Sequence, residues 1–325
     1  MAIKRKYNIR NIGCVVVLYL FAVNLSANNP ADSVKSKTNS LFKGISLQIN
    51  YEKIPDGTFT LKKDGTKYAS GKTESYNKLK FNLSVPIFTY KKFRFSLSAK
   101  YTSLDNMFIA DNGFAQRTDN LGLSQKHRDL FGLNLNIFGN TKLFNHNVHI
   151  MGLINAEACE FGFGRYVGIA TIMYNIKENR KSAFGLGAVV LINTLSPFPI
   201  YPLISFRYTF SEKLLLNMTI PMLNLIFRYD KNNTFSLGSI IDSDNFFIKT
   251  QNENLPSLCR YSKCLFKGYV SYERRFQSSI SFHIEGGCET AMSAYISGNN
   301  GHKRYITQNS DLLPYFNIGL RYTVR

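Results

Sequence analysis

The sequence predicts an all-β protein: a transmembrane antiparallel up-and-down β-barrel of about 14 strands that follows a cleaved signal peptide. Three observations predict this fold class. The chain begins with a short basic and apolar segment, apolar and polar residues then alternate with a period of two, and the connections between alternating segments are sorted by length. Sorted connections favour a membrane barrel, because short turns then face the periplasm and long loops face the outside.

The first residues have the form of a secretory signal peptide. Basic residues up to Arg10 precede the apolar run Ile12–Val23, and the small residue Ala27 follows at a plausible cleavage point. The apolar run is shorter than the about 20 residues that a spanning helix needs, so an uncleaved anchor is the weaker alternative. The predicted boundaries are a signal peptide at 1–27, a short periplasmic segment at 28–42 and the barrel at 43–325.

Period-two alternation identifies the strands. In Lys78–Phe88 the odd positions are apolar up to Ile87, whereas Lys80 and Asn82 lie on the even face. A helical period would scatter these lysines around an axis, so the segment is a strand with one apolar and one polar face. The predicted strands are 43–52, 78–88, 93–103, 127–139, 146–157, 165–176, 182–193, 200–210, 214–220, 222–230, 234–241, 264–276, 278–290 and 312–324.

The connections set the number of strands. Short connections such as 89–92 and 211–213 alternate with longer ones, and an even strand count requires Pro221 to lie in a tight external turn between 214–220 and 222–230. We therefore predict 14 strands, with 12 as the alternative. The predicted external loops are 53–77, 105–126, 242–263 and 291–311.

The last strand supports insertion into a membrane. Apolar residues alternate from Phe316 to Val324, and Tyr322 supplies an aromatic residue near the end, although Arg325 occupies the terminus. This pattern resembles the signal that the barrel-assembly machinery reads during insertion, so that machinery is an expected partner. Tyrosines near predicted strand ends are typical of an interfacial aromatic belt; they are Tyr51, Tyr90, Tyr101, Tyr174, Tyr208, Tyr229, Tyr272 and Tyr322.

The residues on the polar face of each predicted strand are expected to line the lumen. Basic residues outnumber acidic ones on this face, so an open lumen would favour anions, while a plugged, ion-paired interior is the alternative. The apolar faces of Ala183–Leu195 allow passage of hydrophobic molecules or a solid barrel. The candidate lumen-lining residues are Lys80, Arg94, Lys100, Arg207, Arg228, Glu273, Arg275, His283, Glu285 and Arg321.

The formal net charge of +19 points to an anionic partner. Because a signal peptide directs the chain away from nucleic acid, we expect outer-membrane lipid and lipopolysaccharide as partners instead. Lysines of the first predicted external loop could contact lipopolysaccharide phosphates; they are Lys62, Lys63, Lys67 and Lys72.

Cysteines and histidines give weak signals. Cys259 and Cys264 are spaced for a small loop disulfide in an oxidising compartment, and the scattered histidines predict no metal site and no cofactor. The sequence holds no G-x-S-x-G or H-E-x-x-H pattern, so we predict a protein that is not an enzyme. A hydrolase at the external rim, suggested only by His302, is the third hypothesis for function.

The segment Pro197–Pro221 is the most distinctive part of the chain. Its prolines lead into a strand, a three-residue turn, a second strand and a closing proline, and it resembles an uncharacterised family of Gram-negative outer-membrane β-barrels across nearly the whole mature chain. Leu214 departs from the aromatic residue expected after the turn. The resemblance implies location in the cell outer membrane and no catalytic residues. It leaves two leading hypotheses, a channel or solute-binding barrel and a closed structural or surface-interaction barrel; a soluble secreted β-protein is the rival fold.

Overall fold

The structure is a computed structural model that describes residues 44–192, 199–220, 222–276, 279–298 and 303–324. The predicted signal peptide at 1–27 and the predicted periplasmic segment at 28–42 lie outside the described residues. The elements are β1 Ser46–Ile54, β2 Gly57–Lys63, β3 Thr66–Tyr90, β4 Phe93–Ala110, α1 Ala115–Asn120, β5 His127–Leu143, β6 His146–Cys159, β7 Gly162–Glu178, β8 Ser182–Ile192, β9 Ile200–Thr209, β10 Leu214–Thr219, β11 Met222–Arg228, β12 Asn233–Lys249, β13 Leu258–Phe276, β14 Ile280–Gly298, β15 Arg304–Ser310 and β16 Leu313–Thr323.

The strands form one closed antiparallel sheet. Each strand from β3 to β14 pairs with its neighbour in the chain, while β1 pairs with both β3 and β16, and β2 pairs with both β3 and β15. β1 with β2, and β15 with β16, therefore occupy single wall positions as interrupted strands. The wall is a 14-strand barrel, which confirms the predicted number and excludes 12.

The pairing of β10 with β11 decides the count. Leu216 pairs with Leu225 and Thr219 with Met222, so the chain reverses direction between these two strands. The predicted turn is therefore confirmed, although Pro221 itself lies outside the described residues. Because β10 has 6 residues and β11 has 7, the wall is shorter along the barrel axis here than elsewhere.

The outer surface of the lower wall is apolar. Leu133, Ile154, Leu237 and Val270 lie on four different strands, and each is more than half exposed. Soluble proteins rarely expose contiguous apolar surface on this scale, whereas a barrel wall in lipid must do so. The alternation therefore places apolar side chains outside and polar side chains inside, as the sequence predicts.

The turns at the lower rim are short and locally bonded. Asp230 Oδ1 accepts hydrogen bonds from the backbone N–H groups of Asn232 and Asn233, both at 2.7 Å. Asn179 Oδ1 accepts from Ser182 N–H in the same way at 2.6 Å. Asparagine and aspartate stabilise such turns because their side chains satisfy backbone donors two or three residues ahead.

Three of the predicted long external loops, 53–77, 242–263 and 291–311, are wrong, because most of their described residues continue the strands, whereas 105–126 is a connection from residue 111 onward. β3 is 25 residues long, and β13 and β14 are 19 residues each, so hairpins extend well above the lipid-facing wall. Within 53–77, 242–263 and 291–311 the strand residues keep their alternation, but with polar residues outside and apolar residues inside, whereas most of 105–126 forms turns and α1. The apolar outer face ends near the ring contact of Tyr101 with Phe131, whose centroids are 5.0 Å apart.

Candidate binding site in the barrel interior

The extracellular half of the interior is filled by an apolar core. Phe246 stacks on Tyr261 at 4.5 Å between ring centroids, and Tyr261 also contacts Phe108 edge to face at 6.0 Å. The Arg128 guanidinium of β5 lies 4.7 Å from the centroid of the Phe246 ring of β12, although these strands are on opposite sides of the ring of strands. The interior is therefore closed at this level. Other members of the core are Ile54, Phe59, Leu61, Ala69, Tyr76, Leu104, Leu121, Leu123, Ile248, Cys259, Ile296, Ile306 and Tyr315.

The segment between β4 and β5 packs into this core from above. Leu121 and Leu123, which follow α1, are fully buried, and Asn120 O accepts hydrogen bonds from Thr250 Oγ1 at 2.8 Å and Gln251 N at 2.9 Å. Gly122 has φ +71 and its backbone lies against the Lys249 carbonyl, a position that leaves no room for a Cβ. This glycine lets the segment turn inward.

A network of buried charges lies directly below the apolar core. The Lys78 ammonium of β3 contacts Glu52 Oε1 at 2.9 Å and also Asp244 on β12, which in turn accepts a hydrogen bond from Tyr76 Oη at 2.7 Å. These contacts join opposite parts of the wall across the interior. Since Lys78 is only 2% exposed, its charge depends on these partners.

Lys267 extends the same network. Its ammonium lies 3.0 Å from Glu52, 3.3 Å from Asp242 and 3.2 Å from Glu289. Lys80 reaches Asp242 at 3.7 Å and Lys263 reaches Glu289 at 3.5 Å. The network thus joins four lysines and four carboxylates and is neutral overall. Its members are Glu52, Lys78, Lys80, Asp242, Asp244, Lys263, Lys267 and Glu289, which we call the charge network.

Most of the network was missed by the sequence analysis. Asp242 and Asp244 fell at the start of a predicted loop, and Glu52 at the end of a predicted strand. The sequence did contain a signal for the two aspartates, because Asp242 and Asp244 continue the even-numbered positions of β12, which face inward. Lys78 and Lys267 shared the predicted inner face, but no pattern indicated which carboxylates they would meet.

The candidate lumen residues do not converge on one cluster. Lys80 belongs to the charge network, whereas Arg207 pairs with Glu178 at 3.5 Å near the lower rim. Arg275 pairs with Glu273 of its own strand at 3.4 Å.

Four of the candidates, Glu273, Arg275, His283 and Glu285, share the inner face of β13 and β14, where the register sets Glu273 opposite His283. Glu285 accepts a hydrogen bond from Tyr315 Oη at 2.9 Å, and His283 lies against Gly319. Arg275, by contrast, forms its ion pair with Glu273.

The remaining candidates are placed by register. In the strand register, Arg321 lies opposite Gln48 and Ser281, and Arg228 lies opposite Thr234. Arg94 lies opposite Thr89 and Phe138 near the lower rim.

Lys100 occupies a distinct position on the inner face of β4. Its strand neighbours are Asn82 and Gly132, and a Cβ added at Gly132 would lie 3.6 Å from Lys100 Cβ and 3.2 Å from Asn155 Oδ1. A side chain at Gly132 would therefore press on the Asn155 amide, which donates a hydrogen bond to Glu157 Oε1 at 2.9 Å. Lys100 is exposed, and within the described ranges no carboxylate lies at ion-pair distance from it.

The proposed disulfide between Cys259 and Cys264 is wrong. Both residues lie in β13 and both are free thiols. They point to opposite faces of one extended strand, which at this spacing separates them by roughly 16 Å, whereas a disulfide requires Cα atoms within about 7 Å. Burial raises the pKa of the Cys259 thiol to about 11.

The described residues contain no group of three or more histidines, cysteines or carboxylates arranged to hold a metal ion. Separately, the helical part of this region is neither long nor apolar enough to span a membrane.

The closed wall, its apolar outer surface and its polar inner face define a transmembrane β-barrel of the outer-membrane type. Residues 37–323 match DUF6268, a domain of unknown function, and the chain belongs to this family. No curated protein matches the sequence.

Solved structures of outer-membrane proteins match the chain at low sequence identity. An outer-membrane channel from Pseudomonas putida F1 has 10% identity and a TM-score of 0.46, covering 92% of this chain and 100% of the channel. A Pseudomonas aeruginosa FadL homologue has 10% identity and a TM-score of 0.45, covering 86% and 90%. The outer-membrane protease OmpT from Escherichia coli has 10% identity and a TM-score of 0.32, covering 90% and 99%.

Proposed function

We propose that the protein is a non-enzymatic barrel of the cell outer membrane that binds or transports small solutes and favours anions. One observation carries the proposal: the apolar core and the neutral charge network occupy the extracellular half of the interior, whereas basic side chains below them are exposed. Lys100, Arg228 and Arg275 are exposed on the inner face or at the lower rim. A barrel that served only as a solid anchor would have no use for accessible inner charges.

The anion preference follows from the balance of charge below the charge network. The inner face there carries more cations than carboxylates. The cations are Arg94, Lys100, Arg165, Arg207, Arg228, Arg275 and Arg321, and the carboxylates are Glu157, Glu178, Glu273 and Glu285. Rings of basic side chains lower the energy of anions in a pore. The closed extracellular half predicts that passage requires a rearrangement of the core.

The outer surface supports the proposed location. Apolar side chains cover the lower wall, and exposed tyrosines lie at the strand ends, with Tyr90 60% and Tyr229 61% exposed at the lower rim. Such belts mark the interface of lipid with water. Fractionation of cells, with electrophoresis before and after boiling, tests the location: we expect the outer-membrane fraction and faster migration of the unboiled protein. A soluble protein of unchanged mobility would refute it.

The absence of enzymatic activity is part of the proposal. Two histidines below the charge network are bonded to amides, since His149 Nδ1 lies 2.5 Å from Asn140 Oδ1 and His146 Nδ1 lies 3.0 Å from Asn175 O. His127 bonds to carboxylates on the outer face. These groups have structural partners rather than a nucleophile beside them. His302, on which the rim hydrolase hypothesis rested, lies outside the described residues.

The transport proposal is tested with the full chain in lipid vesicles. We expect uptake of chloride or small carboxylates to exceed uptake of cations of similar size, and Arg207→Gln with Arg228→Gln to reduce that ratio. Lys92→Gln, which removes a charge from an exposed turn, is the matched control. Equal uptake of anions and cations, or uptake indistinguishable from that of empty vesicles, would overturn the proposal.

A second candidate is a closed surface-interaction barrel. The sealed extracellular half favours it, as does the hairpin of β2 and β3, which carries lysines above the lipid-facing wall. Lys67 lies 5.5 Å from the Phe114 ring centroid, so its stem packs while its charge stays exposed. Replacing Lys62, Lys63, Lys67 and Lys72 by glutamine should then weaken binding to lipopolysaccharide. Unchanged binding would exclude this role.

A further inference from the structure

The connections at the lower rim are basic all the way around the barrel. They join β3 to β4, β5 to β6, β7 to β8, β9 to β10, β11 to β12 and β13 to β14, and each has at least one exposed lysine or arginine in the turn or at an adjoining strand end. These cations, which we call the basic rim, are Lys91, Lys92, Lys142, Lys177, Arg180, Lys181, Lys213, Lys231 and Arg274. The same connections contain only three carboxylates, which are Glu178, Glu212 and Asp230.

These carboxylates do not neutralise the basic rim. Glu178 pairs with Arg207 of the inner face at 3.5 Å, and Asp230 accepts hydrogen bonds from the backbone of its own turn. Among the residues that the structure describes, no carboxylate lies within ion-pair distance of any of the nine cations. The basic rim therefore keeps a net positive charge that is open to a partner.

The connections at the upper end do not share this bias. Lys63 is followed by Asp64 in the turn between β2 and β3, and Arg117 and Asp119 both lie in α1. The turn between β6 and β7 carries a carboxylate, Glu160, and no cation. Charges of both signs are therefore mixed at the upper end, whereas positive charge accumulates at the lower rim.

Each connection of the lower rim also has an exposed large apolar side chain. Phe144, in the turn between β5 and β6, is 83% exposed. The Lys91 ammonium lies 5.2 Å from the centroid of the Tyr90 ring, and the Arg274 guanidinium lies 5.2 Å from that of Phe276. Aromatic rings beside cations are typical of the level of lipid headgroups. The exposed apolar residues are Tyr90, Leu143, Phe144, Ile176, Phe184, Phe210, Tyr229 and Phe276.

We propose that the basic rim binds anionic phospholipids of the periplasmic leaflet, with the headgroup phosphates at its lysines and arginines and the acyl chains against the exposed apolar side chains. The surface rests on the proposed location of the barrel, and it adds a lipid class and the residues that select it. Because the cations are spread over all six connections, they fit a partner that surrounds the barrel, as a lipid leaflet does. A headgroup with net negative charge is attracted by each cation, whereas a zwitterionic headgroup gains little.

The chain contains no tryptophan, so Phe144→Trp provides a single fluorescent reporter at the basic rim. The full chain is folded into phosphatidylcholine vesicles that contain a small fraction of either brominated phosphatidylglycerol or brominated phosphatidylcholine. We expect the anionic lipid to quench the reporter as if it were enriched about fivefold, the attraction of one cation for a charged lipid surface. About 1 M salt should remove most of this preference. Phe131→Trp, a reporter at the upper aromatic level near Asp105 and Asp129, should show no preference for the anionic lipid.

Charge-matched variants locate the preference. Glutamine at Lys91, Lys92, Lys142 and Lys181 removes cations from the reporter's turn and its two neighbours, and should make quenching by the two lipids nearly equal. Arginine at the same positions should retain the preference. Glutamine at Lys62, Lys63, Lys67 and Lys72 removes the same charge from the upper end and should change nothing. Quenching by brominated phosphatidylcholine should be the same in all variants, because the tryptophan keeps its place in the lipid.

Two outcomes would overturn the surface. Equal quenching of Phe144→Trp by the two lipids would show that the basic rim does not select anionic lipid and would favour a soluble anionic partner instead. A preference that survives the four glutamines at the lower rim would remove the role of these cations. Heat-dependent mobility separates the two proposals: a folded barrel without lipid preference refutes only this surface, whereas a chain that does not insert into vesicles refutes the proposed location as well.

Discussion

The two halves of the barrel wall have opposite polarity. Below the level of Tyr101, apolar side chains such as Leu133 face outward and polar ones such as Asn134 face inward. Above it, polar side chains such as Thr307 face outward and apolar ones such as Ile306 are buried inside. The same strands continue through both halves, so the change is in the solvent and not in the backbone. Lipid surrounds the lower half, whereas water surrounds the upper half.

The reversal explains how one sheet can hold both a lumen and a core. In the lower half the wall is stabilised by its contact with lipid, so the interior remains free to carry exposed charge. In the upper half the wall has no lipid, and burial of the inner face supplies the stabilisation that a soluble protein needs. The charge network lies at the boundary and separates the two interiors.

Removal of one member of the charge network should have the largest effect on stability. Lys78→Met would leave Glu52 and Asp244 buried without their common partner, and we expect a loss of about 4 kcal/mol in the free energy of unfolding. Urea titration of the protein in lipid vesicles measures this loss. Lys92→Met is the control at an exposed turn. A loss of less than about 1 kcal/mol in Lys78→Met would show that the network is hydrated in solution.

The same substitution in each half sharpens the comparison directly. Leu133→Arg places a charge on the lipid-facing wall and should destabilise the barrel by about 2–4 kcal/mol, whereas Thr307→Arg above it should change stability by less than about 0.5 kcal/mol. Both variants are compared by unfolding in vesicles of one lipid composition. Equal effects at the two sites would contradict the assigned level of the membrane.

The turn at Gly122 tests how the core is completed. Gly122→Ala should lose about 1–2 kcal/mol from the left-handed backbone alone, with a further loss because the new Cβ meets the Lys249 carbonyl. We expect proteolysis within residues 111–126 to accelerate while the lower wall stays protected. Gly113→Ala is the matched control, because Gly113 has φ +87 and nothing near its Cβ position. Identical protease sensitivity in the two variants would refute the added contact.

The smallest effect is expected at His127 on the outer face above Tyr101. Asp105 Oδ1 accepts a hydrogen bond from His127 Nδ1 at 2.6 Å, which raises the pKa of His127, and Asp129 adds to the effect. Because the folded pKa is raised, this contribution is fully present below the unfolded pKa of about 6.5 and is lost as pH rises through the folded pKa. The stability difference between wild type and His127→Gln should therefore be larger at about pH 5 than at about pH 9. A difference independent of pH would refute the assignment.

Local alternation was enough to predict the lower half from the sequence. The strands around Lys78–Phe88 and Phe93–Ser103, the antiparallel order and the reversal between β10 and β11 all follow from side-chain parity and connection length. The outward apolar face was the criterion, so the prediction ended each strand where lipid ends. Ile248 and Cys259 show why this was wrong: they continue the pairing, but on the inner face.

Contacts across the interior could not be predicted in the same way. The meeting of Lys78 with Asp244, or of Arg128 with Phe246, depends on how far the ring of strands is flattened above the membrane. Parity assigns each residue to a face, but it does not determine its partner on the opposite wall. The surroundings of Lys100 were only partly predictable, because the register of β4, β5 and β6 decides that Gly132 and Glu157 lie in line with it.

The charge network also constrains the order of assembly. Lys78 and Asp244 are 166 residues apart in the chain, so their contact closes a very long loop and forms late relative to the neighbouring hairpins. Until β12 to β14 have paired into the wall, the carboxylates and lysines of the first strands remain hydrated and the tall hairpins do not contact one another. We expect pulsed hydrogen exchange during refolding into vesicles to protect β4 to β7 before the upper part of β12. The sealed end of the barrel would then be the last structure to form, after the wall has entered the lipid.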